Sequence, residues 1–238
     1  WLGRILSPAL SYLRLWDYTA AQRVDQFVAN SKNIANKIKR YYGREAEVVY
    51  PFVDLERFAP RLENREQRVE NSFFLVVTRL EPWKRVEIAV EAAKQAGVGL
   101  KVVGRGPDLK RLKALAKGRD RIEILGGVGD EELVKLYQNC TALVMTQEED
   151  FGITSLEAQA SGKPVIAYGA GGALETVAKG KTGDFFGEQT AESLASVLKG
   201  FKTEAYKQED CRENAERFSK ERFQKEILAI AERMIELK

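Results

Sequence analysis

The sequence predicts an α/β fold: a Rossmann-like, doubly wound parallel sheet covered by helices on both faces. Two observations carry that expectation. From about residue 71, largely apolar runs of four to six residues alternate with helical stretches, and strands buried on both faces read as continuous apolar runs. Each run is followed by a loop and then a helical segment, and four of the five loops contain glycine. That is the strand–loop–helix order of a parallel sheet with right-handed crossovers.

Residues 1–50 do not follow this rhythm. A long helical stretch leads to "VDQFVANS", the helix "KNIANKIKRYY" and then "AEVVYPFVD". The strand-like pieces at 26–29 and 47–50 are too few for a sheet of their own. Residues 1–50 are therefore expected to be the remnant of a neighbouring domain whose beginning is absent. The charged stretch 57–68, with Pro60, reads as a linker or surface loop. The regular unit then runs "FFLVV", helix "RVEIAVEAAKQA", "GLKVVG", helix "PDLKRLKALAKG", "IEIL", helix "DEELVKLYQNC", "ALVMT", helix "SLEAQASG", "PVIAY" and helix "ALETVAKG". It is expected to span 51–218, with an amphipathic helix at 219–238.

Composition narrows the chemistry. The 38 basic and 35 acidic residues nearly cancel, giving +3, too little to indicate nucleic acid. The chain has no histidine, which excludes Ser-His-Asp and Cys-His machinery and histidine-based zinc sites. Cys140 and Cys211 lie far apart and suggest reduced thiols and a cytoplasmic setting. No apolar run approaches the roughly 20 residues of a membrane span, and no signal-peptide pattern heads the chain. The opening "WLGRILSPALSYLRLW" is amphipathic; a membrane surface would suit it, and packing against another domain suits it better.

In a doubly wound sheet, ligands bind beyond the carboxyl ends of the strands. The five loops there are "TRLEPWKR", "VGRGPD", "GGVGD", "TQEEDFGITS" and "YGAGGALE". Arg79 and Lys84 in the first are placed to neutralise a diphosphate, and glycine in the others lets backbone N–H groups approach a ligand. A nucleotide is expected. "GRGPDL" has Leu109 where a third dinucleotide glycine belongs, no phosphate-binding P-loop is present, and no D-x-D pair suggests a chelated metal. Glu149 and Glu157 flank the helix that begins near "GITS". For Glu157 a structural reading competes, because "TSLE" fits a capping box with Thr154 as the cap.

Glu149-x7-Glu157 within "EDFGITSLEAQASGKPVIA", followed by "GGALETV" and "GKTG", resembles the signature of the retaining glycosyltransferases of family 4, which adopt the GT-B fold. "VTRLEPWKRVEIAVEA" is similar to the family's diphosphate loop, and "VDQFVANS" and "VVYPFVDLERFAP" to its interdomain crossover. The resemblance covers nearly the whole chain. It extends to the GDP-mannose-dependent mannosyltransferases of surface-polysaccharide assembly, and it makes 51–218 the nucleotide-sugar-binding domain.

The resemblance implies that Arg79 and Lys84 clamp the leaving diphosphate and that Glu149 binds the transferred sugar. Glu157 would accept the ribose hydroxyls, and the N–H groups of Phe151, Gly152 and Ile153 would meet the sugar-phosphate. Gly104, Arg105, Gly127 and Val128 would lie near the base. No metal or other cofactor is implied. The donor would be a nucleotide-diphosphate sugar, GDP-mannose first and UDP-glucose or a relative second. The acceptor would be a saccharide or lipid-linked saccharide, with peripheral membrane association open to the full-length protein. A non-catalytic nucleotide-sugar module is the alternative. Family members carry a complete N-terminal domain that supplies a histidine, so this chain alone is expected to bind donor but to transfer sugar poorly or not at all.

Overall fold

The computed structural model describes residues 2–60 and 72–236; most of the expected 57–68 linker, from 61 onward, lies outside the described residues. The chain divides into two compact units, Trp1–Tyr50 and Pro51–Lys238.

The first unit holds α1 (Leu2–Ala21), β1 (Phe27–Ala29), α2 (Lys32–Tyr42) and β2 (Ala46–Val48). The two strand pieces do form a sheet, contrary to expectation: β1 and β2 pair in parallel, with Phe27 opposite Ala46. The reason is local. Ser31 caps α2 by accepting the Ile34 N–H at 3.0 Å, and Gly43, at φ 65°, ends it by donating to Lys39 O. Both helix ends are therefore defined by their own sequence, and the helix returns β2 beside β1. Arg44 reinforces the return, with its guanidinium 5.4 Å from the Phe27 ring and donating to Val24 O at 2.8 Å. Tyr12, Leu13, Leu15 and Trp16 on α1 are exposed.

The second unit runs β3 (Phe73–Val77), α3 (Val86–Ala96), β4 (Gly99–Val103), α4 (Leu109–Ala116), β5 (Ile122–Gly126), α5 (Asp130–Asn139), β6 (Leu143–Met145), α6 (Ile153–Ala160), β7 (Val165–Tyr168), α7 (Ala173–Thr176), β8 (Gly183–Phe186), α8 (Ala191–Gly200), α9 (Gln208–Glu216) and α10 (Lys220–Glu236). The six strands are parallel, in the order β5-β4-β3-β6-β7-β8. Phe74 and Val76 of β3, Leu100 and Val102 of β4, and Ile166 of β7 pack with α3, α4 and α8 in one buried cluster. Leu75 and Leu143, also fully buried, belong by strand alternation to the opposite face.

Two differences from expectation stand out. β8 reads "GDFF", and with its half-buried Asp184 it lacks the continuous apolar run seen in β3 or β7. An edge strand tolerates that because only one side is paired. "ALETVAKG" gives only one helical turn, Ala173–Thr176, before Val177 turns extended.

The strand order places the switch point between β3 and β6. From β3 the chain winds outward to β4 and β5, and from β6 it winds the other way to β7 and β8. The loops leaving β3 and β6 therefore diverge and open a crevice at their carboxyl ends.

Candidate functional site at the β3–β6 switch point

The loop after β3 contains a 3-10 turn, Pro82–Lys84, with Pro82 at its start and Arg85 at its end in the left-handed conformation, φ 55°. Arg85 is the one non-glycine residue with positive φ among the described residues, a geometry that costs about 1–3 kcal/mol and persists where surroundings dictate it. Lys84 is buried, at 6% exposure. Its Nζ lies 2.6 Å from Glu149 Oε1, in the loop after β6. Gln147 Nε2 donates to the same oxygen. Thr146 Oγ1 donates to Lys84 O at 2.9 Å, so backbone and side chain both tie the two loops. The Trp83 ring lies 4.4 Å from Lys84 Nζ and 5.6 Å from Arg79 Cζ, a cation on each approach. Arg79 is exposed.

The neighbouring loops are held by backbone hydrogen bonds. Leu80 N–H donates to Arg105 O at 2.9 Å, and Gly104 N–H to Gly126 O at 2.8 Å. Gly172 N–H, after β7, donates to Glu149 O at 2.7 Å. The loop glycines have a nearer purpose than a ligand. A Cβ on Gly104 would lie 1.8 Å from Thr78 O, and one on Gly172 would lie 2.4 Å from Phe151 Cα. Glycine there lets one loop backbone lie on the next. Arg105 rests against Gly127, where a Cβ would come 2.1 Å from its Nε; Val128 beside it is half-buried.

Helix α6 begins after Gly152, at φ 88°, with no side-chain cap. Its first N–H groups lack intrahelical acceptors and carry the positive end of the helix dipole, a few residues from the Lys84–Glu149 pair. Buried amides anchor the helix: Asn214 Nδ2 donates to Gln159 Oε1 at 2.6 Å and Thr176 O at 2.9 Å, and Gln159 Nε2 donates to Thr176 O at 2.8 Å.

The capping-box reading of "TSLE" fails. The cap position falls on Gly152, not Thr154, so Glu157 is the fifth helical residue. Its Oε2 accepts instead from the Tyr137 hydroxyl of α5, at 2.6 Å. Burial raises the proton affinity of Glu157; the Tyr137 hydrogen bond and the Arg57 charge offset part of that. Tyr137 is pushed well above its ordinary value, by burial first and by the charge of Glu157 second.

This gives a pH prediction. A carboxyl whose folded pKa is raised adds stability while protonated, and that stability is lost as pH climbs from the ordinary carboxylate range, near 4.5, through the raised value. Glu157→Gln should therefore melt above the parent chain at pH 7, with the gap closing as pH falls towards about 4. A pH-independent gap would contradict it. A carboxylate kept at a cost to stability is a functional-site signal.

The structure thus joins Lys84, Glu149 and the α6 start at the carboxyl ends of β3 and β6, with Arg79 on the same loop as Lys84 against Trp83 and with Gly104, Arg105 and Gly127 in the adjoining loops. Glu157 stands one turn further along α6 and bonds to Tyr137 rather than to the Lys84–Glu149 pair. Sequence reasoning missed Trp83, Tyr137 and Gln147. Trp83 lies between Arg79 and Lys84 in sequence and could have been found; Tyr137 reads as an ordinary apolar-face residue of α5. A cavity of about 740 Å³ opens elsewhere, at the amino ends of the strands, beside Thr141, Pro164, Phe201 and Tyr206. None of the candidate residues lines it, and a doubly wound sheet binds at the other edge. Among the described residues, no group of three or more His, Cys, Asp or Glu is placed to hold a metal ion, and no helix is long and apolar enough to cross a membrane.

Residues 60–218 match the family described as "Glycosyl transferases group 1". The chain belongs to that family. A D-inositol 3-phosphate glycosyltransferase of Streptomyces avermitilis is 29% identical over 205 residues, 74% of this chain and 44% of the relative. A GDP-mannose-dependent alpha-(1-6)-phosphatidylinositol monomannoside mannosyltransferase of Mycobacterium tuberculosis is 34% identical over 181 residues, 66% of this chain and 47% of the relative. This group 1 glycosyl transferase chain thus spans less than half the length of either relative. Its fold matches GT-B glycosyltransferase structures. The sucrose-phosphate synthase of Thermosynechococcus elongatus superposes with a TM-score of 0.84 at 22% identity, over 94% of this chain and 62% of that one. The Anabaena protein HepE, in complex with UDP-glucose, gives 0.77 at 23% identity, over 92% and 67%.

Proposed function

We propose that this chain is the donor-binding half of a retaining glycosyltransferase that moves mannose from GDP-mannose to a saccharide or lipid-linked saccharide. The observation that carries this reading is the convergence of Lys84, Glu149 and the α6 amino end at the switch-point crevice, with Arg79 on the same loop as Lys84. Arg79 and the amides of Phe151, Gly152 and Ile153 supply positive potential where a diphosphate would sit. Lys84, at the same edge, completes the clamp. As the glycosidic bond breaks, charge builds on the leaving diphosphate, and preorganised cations and dipoles stabilise that charge most. Glu149, held by Lys84 and Gln147, faces the transferred sugar's hydroxyls, and Glu157 accepts the ribose hydroxyls. The acids thus flank the diphosphate rather than oppose it. Gly104, Arg105, Gly127 and Val128 lie toward the base.

Residues 1–50 are read as part of the acceptor-side domain, so transfer requires the remainder of that domain. The choice of GDP-mannose leans on the mycobacterial relative, whose name gives GDP-mannose as its donor. UDP-glucose is the second reading, favoured by the complex of the HepE neighbour.

Calorimetric titration with GDP, UDP and ADP, each with and without its sugar, tests the proposal. GDP should bind most tightly, and at a hundredfold excess over its Kd should stabilise the fold by about 2.7 kcal/mol. Glu149→Gln should weaken GDP-mannose several-fold more than GDP. Tighter binding of UDP would transfer the reading to UDP-sugars, and no nucleotide binding at millimolar concentration would end it.

A further inference from the structure

The buried side of α5 and residues 51–60 carry a group of contacts that the roles above leave unused. Tyr137 is fully buried, yet its hydroxyl gives its single proton to Glu157 Oε2 at 2.6 Å. Phe58, also buried, meets the Tyr137 ring edge-on, with centroids 5.5 Å apart and planes at 90°. Residues 51–60 form a strap fastened at several points. Val53 N–H donates to Phe218 O at 3.0 Å, Arg212 Nη1 to Leu55 O at 2.8 Å, and Gln138 Nε2 to Ala59 O at 2.7 Å. Arg57 reaches Asp130 at 3.0 Å, at the start of α5, and covers the outer face of Phe58 at 5.2 Å.

A phenol fixed in this way does more than fill space. An O–H donated to a carboxylate is among the stronger neutral-to-charged hydrogen bonds. It occupies one lone pair of Oε2, tethers that oxygen and so narrows the orientations of the carboxylate, leaving Oε1 to accept from another donor. A vicinal diol needs two acceptor sites in a defined plane. A carboxylate on a solvent-exposed helix face would sample many rotamers, whereas this one has an oxygen held by a fully buried phenol.

We propose that Tyr137 is a positioning residue, backed by Phe58 of the strap, which holds the Glu157 carboxylate in the orientation that receives the two ribose hydroxyls of the donor nucleotide. This rests on the assignment of Glu157 to the ribose. It makes the strap, remote in sequence from every loop of the crevice, part of the donor site.

The test is calorimetry on the full chain with GDP, 2′,3′-dideoxy-GDP and inorganic pyrophosphate. The parent chain should prefer GDP to its dideoxy analogue by tenfold or more. Tyr137→Phe keeps the ring and the Phe58 contact and deletes only the hydroxyl. It should lower GDP affinity about tenfold, leave dideoxy-GDP and pyrophosphate unchanged, and so remove most of that preference. Phe58→Leu should move the same quantity in the same direction by a smaller factor, and decides the matter should Tyr137→Phe not fold. A preference retained in full by these variants would overturn the proposal, reducing the hydrogen bond to the satisfaction of a buried phenol. A different result marks failure of the parent assignment: a parent chain that binds GDP and dideoxy-GDP equally well, or a Glu157→Gln variant that keeps the full preference.

Discussion

Lys84→Met should lower stability by about 2 kcal/mol and weaken nucleotide-sugar binding by more than tenfold. The stability figure follows from the pair it breaks. Lys84 and Glu149 side chains are 8% and 22% exposed and 2.6 Å apart. Removing one partner of a well-buried pair costs about 3–5 kcal/mol, because the other charge is left uncompensated. Glu149 retains some solvent and the Gln147 amide, so the cost here falls below that range, at about 2 kcal/mol. For a domain of this size that is a fall of roughly 4–8 °C in Tm. A double-mutant cycle separates stability from function. Adding Glu149→Gln to Lys84→Met removes the stranded charge and should recover most of the stability, while donor affinity stays low. Failure to recover the stability would mean that Lys84 acts through its packing on Trp83 rather than through the pair.

Gly172→Ala should be nearly as damaging, for a steric reason. The added Cβ would lie 2.4 Å from Phe151 Cα, 2.5 Å from Phe151 O and 2.6 Å from Asp150 O. These are backbone atoms, so no side chain can swing aside. The residue's own φ is −65°, which alanine adopts freely, so the cost comes from the contact alone. The loop before α6 must move away from Gly172, losing the Gly172 N–H to Glu149 O hydrogen bond and displacing Glu149 from Lys84. Overpacking of this kind costs about 1–3 kcal/mol, and nucleotide affinity should fall at least tenfold with it. Gly187→Ala is the control: nothing lies within 4 Å of its Cβ position, and both stability and affinity should stay within error of the parent. Normal binding by Gly172→Ala would show that the two loops need not touch for the site to work.

The sheet was largely legible because its central strands are buried on both faces, and "FFLVV" and "PVIAY" can hardly be anything else. β8 was not legible, because Gly183 and Asp184 leave only two apolar residues in its four. The β1–β2 pair was underrated because pairing depends on where α2 returns the chain, a matter decided by Ser31 and Gly43 rather than by strand composition.

At the site, Arg79 and Lys84 could be chosen from sequence because they follow the carboxyl end of a strand beside the switch point, whereas Glu149 was singled out by the family resemblance of its motif. That Lys84 would be buried against Glu149, 65 residues away, depends on the crossing of two loops and left no local trace. The capping-box reading of Glu157 failed for a related reason. Gly152 takes the cap position through its left-handed φ, and Tyr137, arriving from α5, claims the carboxylate. Contacts made between elements decide what a short motif does.

The central claim is that a nucleoside diphosphate lies across the β3–β6 switch point. Amide hydrogen exchange, measured with and without saturating GDP, tests it most directly. Slowed exchange should concentrate in residues 79–85, 104–106 and 149–157, with 27–48 and 198–209 unchanged. Protection centred instead on 198–209, beside the cavity at the opposite edge of the sheet, would contradict it.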